Sequence, residues 1–231
     1  MSAMLSSTFD LAKQNVHQIL SLAVEHPSER AAVVVWDRDC DLALGLANAY
    51  LANLPNAVSI EFGEVARDRI LSAFEQLAPG DLVVLVESTR FSLAKFRFRM
   101  ELFKRSLKVI EHPHLARMAP DEELRYVESL AYDSDYFRGV GYGLKERLDR
   151  AQETVIAGGT ERLVFGGELE EAKLNIGDYR ELDNVGGQFP IGEVMTEAKQ
   201  LNCLNGTALV ACFGDRSFQV SKLSPPITLS I

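Results

Sequence analysis

Ala31-Ala-Val-Val-Val-Trp36 is an apolar run of strand length with no polar alternation. A strand with one wet face alternates apolar and polar residues. A continuous run means that both faces are covered, as in a parallel sheet. Asp81-Leu-Val-Val-Leu-Val86 repeats that texture. Between the two lie a helical stretch from Leu42 to Leu54, a strand from Ala57 to Phe62 and a helix from Val65 to Leu77. Asp39 stands where the first of these helices needs an N-cap. Pro55-Asn56 and Pro79-Gly80 supply the turns. Upstream, Leu11 to Val24 sets Leu11, Val16, Ile19, Leu20 and Leu22 mostly on one side of a helix. Downstream, Leu93 to Ser106 reads as a helix and Leu107 to Ile110 as a fourth strand. The alternation predicts a doubly wound parallel sheet with right-handed crossovers over residues 1–118.

The texture then changes twice. Pro120 followed by Asp121-Glu-Glu123 opens a helix. Helices run from there to Ala131 and from about Asp135 to Gln152, so residues 119–152 form a helical connection. Gly139, Gly141 and Gly143 weaken the second helix and mark a break or a close approach of another backbone. Beyond Gln152, the segments Thr154–Ala157, Arg162–Phe165, Ala208–Phe213 and Ile227–Ile231 read as strands. Gly158-Gly159, Gly166-Gly167, Gly186-Gly187 and Pro225-Pro226 read as their separators. Residues 153–231 are therefore expected to form a smaller, mostly β domain. The fold class is α/β: a doubly wound parallel-sheet domain, then helices, then a β-rich domain.

A chain of 231 residues with 47% hydrophobic content suffices for one large domain or two small ones. No apolar run approaches the roughly 20 residues of a membrane helix, and Met1 to Asp10 lacks the pattern of a signal peptide. Cys40, Cys203 and Cys212 are odd in number and contain no CxxC pair. They argue against a disulfide framework or a structural zinc site and for a reducing, cytoplasmic compartment. A net charge of −9 disfavours bulk binding to nucleic acid or an anionic membrane.

Several clusters invite a chemical reading. Asp37, Asp39 and Asp41 follow the first strand, where such sheets bind ligands. They would hold magnesium beside a phosphate, or simply start a helix. Neither GxGxxG nor GxxxxGK[ST] occurs, so no glycine-rich phosphate cradle is present. Lys95, Arg97, Arg99, Lys104 and Arg105 form a basic helix with Glu101 as its only acid. That helix would receive an acidic peptide or partner, or be a solvated face. Phe91, Phe96, Phe98 and Phe103 read as core. His112-Pro-His114 places two imidazoles on one side of an extended chain, too few ligands for a metal site, and otherwise reads as a loop. No Gly-x-Ser-x-Gly is present, and no catalytic set emerges.

One stretch is more specific. Gln188-Phe-Pro-Ile-Gly-Glu-Val-Met-Thr196, followed by Leu204-Asn-Gly-Thr207 and an apolar strand, resembles the metal-binding motif of the aminopeptidase T family of dinuclear metallo-aminopeptidases. Gly158-Gly-Thr160, the strand Leu163–Phe165 and Asp183 also fit, as does the order of an α/β part before a β-rich part. The resemblance makes Glu193 the counterpart of a metal ligand and places the remaining ligands well downstream. Here the only acids after Glu193 are Glu197 and Asp215, the last histidine is His114 and the last tyrosine is Tyr179. A dinuclear site needs several converging ligands. Phe189 also stands where Ile or Leu is usual, and Glu197-Ala198 where proline is common.

The expectation is thus a non-catalytic relative without metal or cofactor that binds a peptide or protein by strand addition. Such a protein would present a peptide to a separate modifying enzyme, for instance in peptide natural-product biosynthesis. Its groove residues would be Phe189, Glu193, Met195 and Asn205, with Arg97 on a second surface. The family habit implies a homodimer. The alternative is a metallo-aminopeptidase whose remaining ligands lie outside this chain.

Overall fold

The computed structural model describes residues 6–64, 67–91, 98–158, 160–179, 185–214 and 220–230. The chain divides into two compact units, Met1–Arg138 with Gly177–Gly192, and Gly139–Ile176 with Glu193–Ile231. Among the described residues no helix is long and apolar enough to cross a membrane.

The first unit begins with α1 (Ser6–Gln18), continued by a π-helical turn, then β1 (Ala32–Trp36), α2 (Asp41–Asn53) and β2 (Val58–Glu61). It continues through α3 (Arg67–Glu75), β3 (Leu82–Val86), α4 (Phe98–Lys104), β4 (Lys108–His112) and α5 (Glu123–Ser129). Next come α6 (Ser134–Asp149) and three strands, β5 (Glu153–Gly158), β6 (Glu161–Leu169) and β7 (Lys173–Asn175). The chain then returns to the first unit as β8 (Val185–Gln188). The resulting sheet has five strands in the order β2-β1-β3-β4-β8, all parallel.

The apolar runs are explained by their cover. Val34, Leu82, Val84 and Ile110 face a core built on α1 and α2. Val33, Val35, Val83, Leu85 and Val109 face the opposite core with Ile60, Ile70, Phe74 and Leu102. Successive side chains of a strand point to opposite faces, so a sheet buried on both sides needs apolar residues throughout.

The second unit holds β9 (Glu193–Met195), β10 (Ala198–Gly214) and β11 (Val220–Ser230). Its main sheet is antiparallel, ordered β11-β10-β6-β5, and β7 pairs with β9 separately.

The structure corrects the sequence reading at several places. Residues 177–192 group with the first unit rather than with the strands on either side of them. Gly186-Gly187 is the interior of β8 rather than a separator. A Cβ on Gly186 would lie 2.1 Å from the Phe103 ring, and one on Gly187 would lie 2.6 Å from the Tyr179 hydroxyl. Pro225-Pro226 lies inside β11, an outer strand of its sheet, where proline is tolerated. The three glycines of α6 do not break that helix. Gly141 allows the close approach, its missing Cβ lying 2.6 Å from the Ile176 side chain, whereas Gly139 and Gly143 face open space.

Candidate functional site

The outer strand β5 pairs with β6 in the register Glu153↔Gly166 to Gly158↔Glu161. The Gly167 N–H donates to the Gln152 carbonyl at 2.9 Å. Antiparallel pairs alternate between bonded and non-bonded. Thr154, Ile156 and Gly158 therefore turn their backbone groups toward β6, while Glu153, Val155 and Ala157 turn theirs outward. Among the described residues no strand pairs with that outer edge. Val155 is 38% exposed and Ile156 56% exposed, so β5 is uncovered on both faces.

The register also defines a row. Val155 lies opposite Val164, and Val164 lies opposite Asn205. Leu209, 57% exposed, shares that face by the two-residue period of β10. Val155, Asn205 and Leu209 thus lie on one side of the sheet, reached from the open edge. Asn205 is exposed there. Glu193 and Met195 lie exposed on β9, and Asn175 donates to the Glu193 carboxylate at 3.2 Å. Phe189 belongs to the core of the first unit, packed near His112 with ring centroids 6.0 Å apart. Arg97 lies outside the described residues, as do Lys95 and Phe96.

Glu193 meets an amide, and among the described residues no group of three or more His, Cys, Asp or Glu is placed to hold a cation.

The carboxyl edge of the parallel sheet carries a second cluster. Asp37, just past β1, accepts the Ser88 N–H at 2.9 Å on one oxygen and the Asp39 N–H at 3.1 Å on the other. Its carboxylate fastens the end of β1 to the end of β3. Asp39 does not cap α2; Cys40 stands at the N-cap and makes no side-chain bond there. Glu87 is buried and accepts the Phe91 N–H at 2.6 Å. Burial pushes its carboxyl up to about 7, partly opposed by that hydrogen bond, with Glu111 adding to the rise.

His112 ends β4 fully buried. Its Nε2 meets the Tyr50 hydroxyl at 2.7 Å and its Nδ1 meets the Tyr126 hydroxyl at 2.9 Å. Tyr126 donates its proton to the Phe189 carbonyl. His112 therefore carries its proton on Nδ1 and accepts from Tyr50 on Nε2. Burial pushes this imidazole down to about 3 and raises both tyrosines. Every polar atom of the ring is satisfied, so this is a neutral structural relay. His114 does not share its side of the chain, because it adopts a left-handed conformation at φ 60°.

No family model matches this chain, and no curated protein matches it. Among solved structures, wild-type AmpT from Thermus thermophilus is similar over 87% of this chain and 64% of its own, at 11% identity and a TM-score of 0.44. The chain thus spans less than two thirds of that structure's length.

Sequence reasoning missed the β5 edge and the His112 relay. The edge had one visible signal, the adjacent Val155 and Ile156 in a strand bounded by glycine. The relay had none, because Tyr50, His112, Tyr126 and Phe189 are distant along the chain.

Proposed function

We propose that this chain is a peptide-binding protein that accepts an extended segment as an added strand on the outer edge of β5. The observation carrying this reading is the unpaired edge itself. Glu153, Val155 and Ala157 offer their backbone groups outward, and an unpaired edge is a template for a further strand. The exposed row of Val155, Asn205 and Leu209 supplies a side-chain surface beside it. The motif from Gln188 to Thr196 supports the same direction, since the family it resembles works on extended substrates.

A peptide suits this edge better than a second copy of the chain. The strand is six residues long, or about 20 Å at 3.3 Å per residue. Alone it buries far less than the roughly 1,200 Å² of a stable dimer. The bound segment should alternate β-branched or aromatic residues, which pack well across strands.

The test uses a labelled peptide of alternating valine and threonine flanked by lysines, titrated by fluorescence anisotropy. Val155→Pro removes an outward N–H without removing a β5–β6 ladder bond. It should weaken binding by roughly tenfold or more, with the circular dichroism spectrum retained. Leu209→Asn should weaken it to a lesser degree. Equal binding by parent and Val155→Pro would exclude the β5 edge. A dimer in sedimentation that Val155→Pro dissolves, with no peptide competition, would assign the edge to a second copy instead.

A further inference from the structure

The strand order β2-β1-β3-β4-β8 reverses direction at β1. The chain leaves β1 toward β2 and then crosses to β3 on the other side. In open α/β sheets the loops at the carboxyl ends beside such a switch form a binding crevice. A cavity of about 160 Å³ lies there, walled by the residues following β1, β2 and β3. A water's share of liquid volume is about 30 Å³, so the space suits a small metabolite.

The walls are specific. Phe62 and Phe91 stack with centroids 4.2 Å apart and rings 15° from parallel, giving one apolar side. Arg38 is held in a fork by Glu61, and its guanidinium lies 5.9 Å from the centre of the Trp36 ring. Asp37 accepts one backbone N–H on each carboxylate oxygen. Two charged groups in the same wall have no directional partner among the described residues, although the Arg90 charge is felt at Glu87 and His114. Among the described residues, neither the Asp39 carboxylate nor the Arg90 guanidinium makes a hydrogen bond or an ion pair, and both are exposed. They are opposite in sign and border one cavity.

The charge balance narrows the occupant. Asp37, Asp39 and Glu61 outnumber Arg38 and Arg90 in the lining, so a ligand with net negative charge is repelled. A ligand with one charge of each sign satisfies both groups. Arg90 presents a planar fork matched to a carboxylate, and Asp39 accepts from an ammonium.

We propose that this crevice binds a small zwitterion of the α-amino-acid type, its carboxylate on Arg90, its ammonium on Asp39 and its side chain against Phe62 and Phe91. The site lies wholly in the first unit and is independent of strand addition on β5. Either proposal can fail alone.

The test is calorimetric titration of the whole chain with L-leucine, L-phenylalanine and L-serine, followed by N-acetyl-L-leucine and L-leucinamide. L-leucine or L-phenylalanine should bind saturably and more tightly than L-serine. Blocking either charged end should weaken binding roughly tenfold or more. Arg90→Ala should erase the preference for L-leucine over L-leucinamide, and Asp39→Asn its preference over N-acetyl-L-leucine. Both side chains are exposed, so neither change disturbs the core. Three results would each overturn the proposal: no saturable binding of the three amino acids up to ten-millimolar concentration, equal binding of the blocked forms, or unchanged binding in both variants.

Discussion

The Tyr126 hydroxyl donates to the Phe189 carbonyl at 2.9 Å. That bond joins α5 to the residue after β8, and it fixes the tautomer of His112, whose Nδ1–H must then donate to Tyr126. Tyr126→Phe would leave the His112 N–H and the Phe189 carbonyl without this partner inside a buried site. An unsatisfied buried group costs about 1–3 kcal/mol, so the variant should lose roughly 2–4 kcal/mol in urea denaturation. A change below about 0.5 kcal/mol would show that water replaces the hydroxyl.

Glu87 and His112 give opposite pH slopes to stability. Glu87 has a folded value near 7 against an ordinary 4.5. Between these values the folded state holds a proton that the unfolded state has released, so stability falls as pH rises. His112 has a folded value near 3 against an ordinary 6.5. Between these values the unfolded state holds the extra proton, so stability rises with pH. From pH 4.5 to 6.5 the two slopes oppose each other, each on the order of 1 kcal/mol per pH unit. Glu87→Gln should therefore become progressively more stable than the parent as pH rises through this window. Parallel curves of stability against pH for the two proteins would contradict the burial of Glu87.

Asp37 fastens the end of β1 to the end of β3. Its two oxygens take the N–H groups of Ser88 and Asp39. Asp37→Asn replaces one acceptor by a donor that faces an N–H group. Hydrogen bonds to charged groups contribute about 1.5–3 kcal/mol, and a loss of roughly that size is expected in thermal or urea unfolding. Unchanged stability would mean that the carboxylate is free for other work.

Two glycines should respond in opposite directions. Gly206 has φ +125°, and a Cβ there would lie 2.0 Å from the Arg162 carbonyl oxygen. Gly206→Ala should destabilise the second unit by more than about 2 kcal/mol, since neither the dihedral nor the space admits a side chain. Gly143 lies in α6 with nothing within 4 Å of its missing Cβ. Gly143→Ala should stabilise by roughly 0.5–1 kcal/mol through helix propensity. Hydrogen exchange resolved by segment would separate the two effects.

The first sheet was legible because burial on both faces leaves an unambiguous mark in the sequence. The runs at Ala31–Trp36 and Asp81–Val86 became β1 and β3 within one residue at the ends. The second unit was less legible. Its double glycines and prolines resemble turn signals, yet Gly166-Gly167 and Pro225-Pro226 lie inside strands. Glycine marks a turn and a crowded strand equally well, and only the neighbour decides which.

The sequence by itself determined the alternation of helices and strands and the order of an α/β part and a β-rich part. These follow from local periodicity and from which residue types the chain contains. Only the tertiary structure decided that 177–192 returns to the first unit, that Asn205 shares a row with Val155, and that Asp39 and Arg90 border one cavity. Those are contacts between segments far apart in the chain. They are set by sheet register and by side-chain packing, neither of which leaves a periodic signal in the sequence.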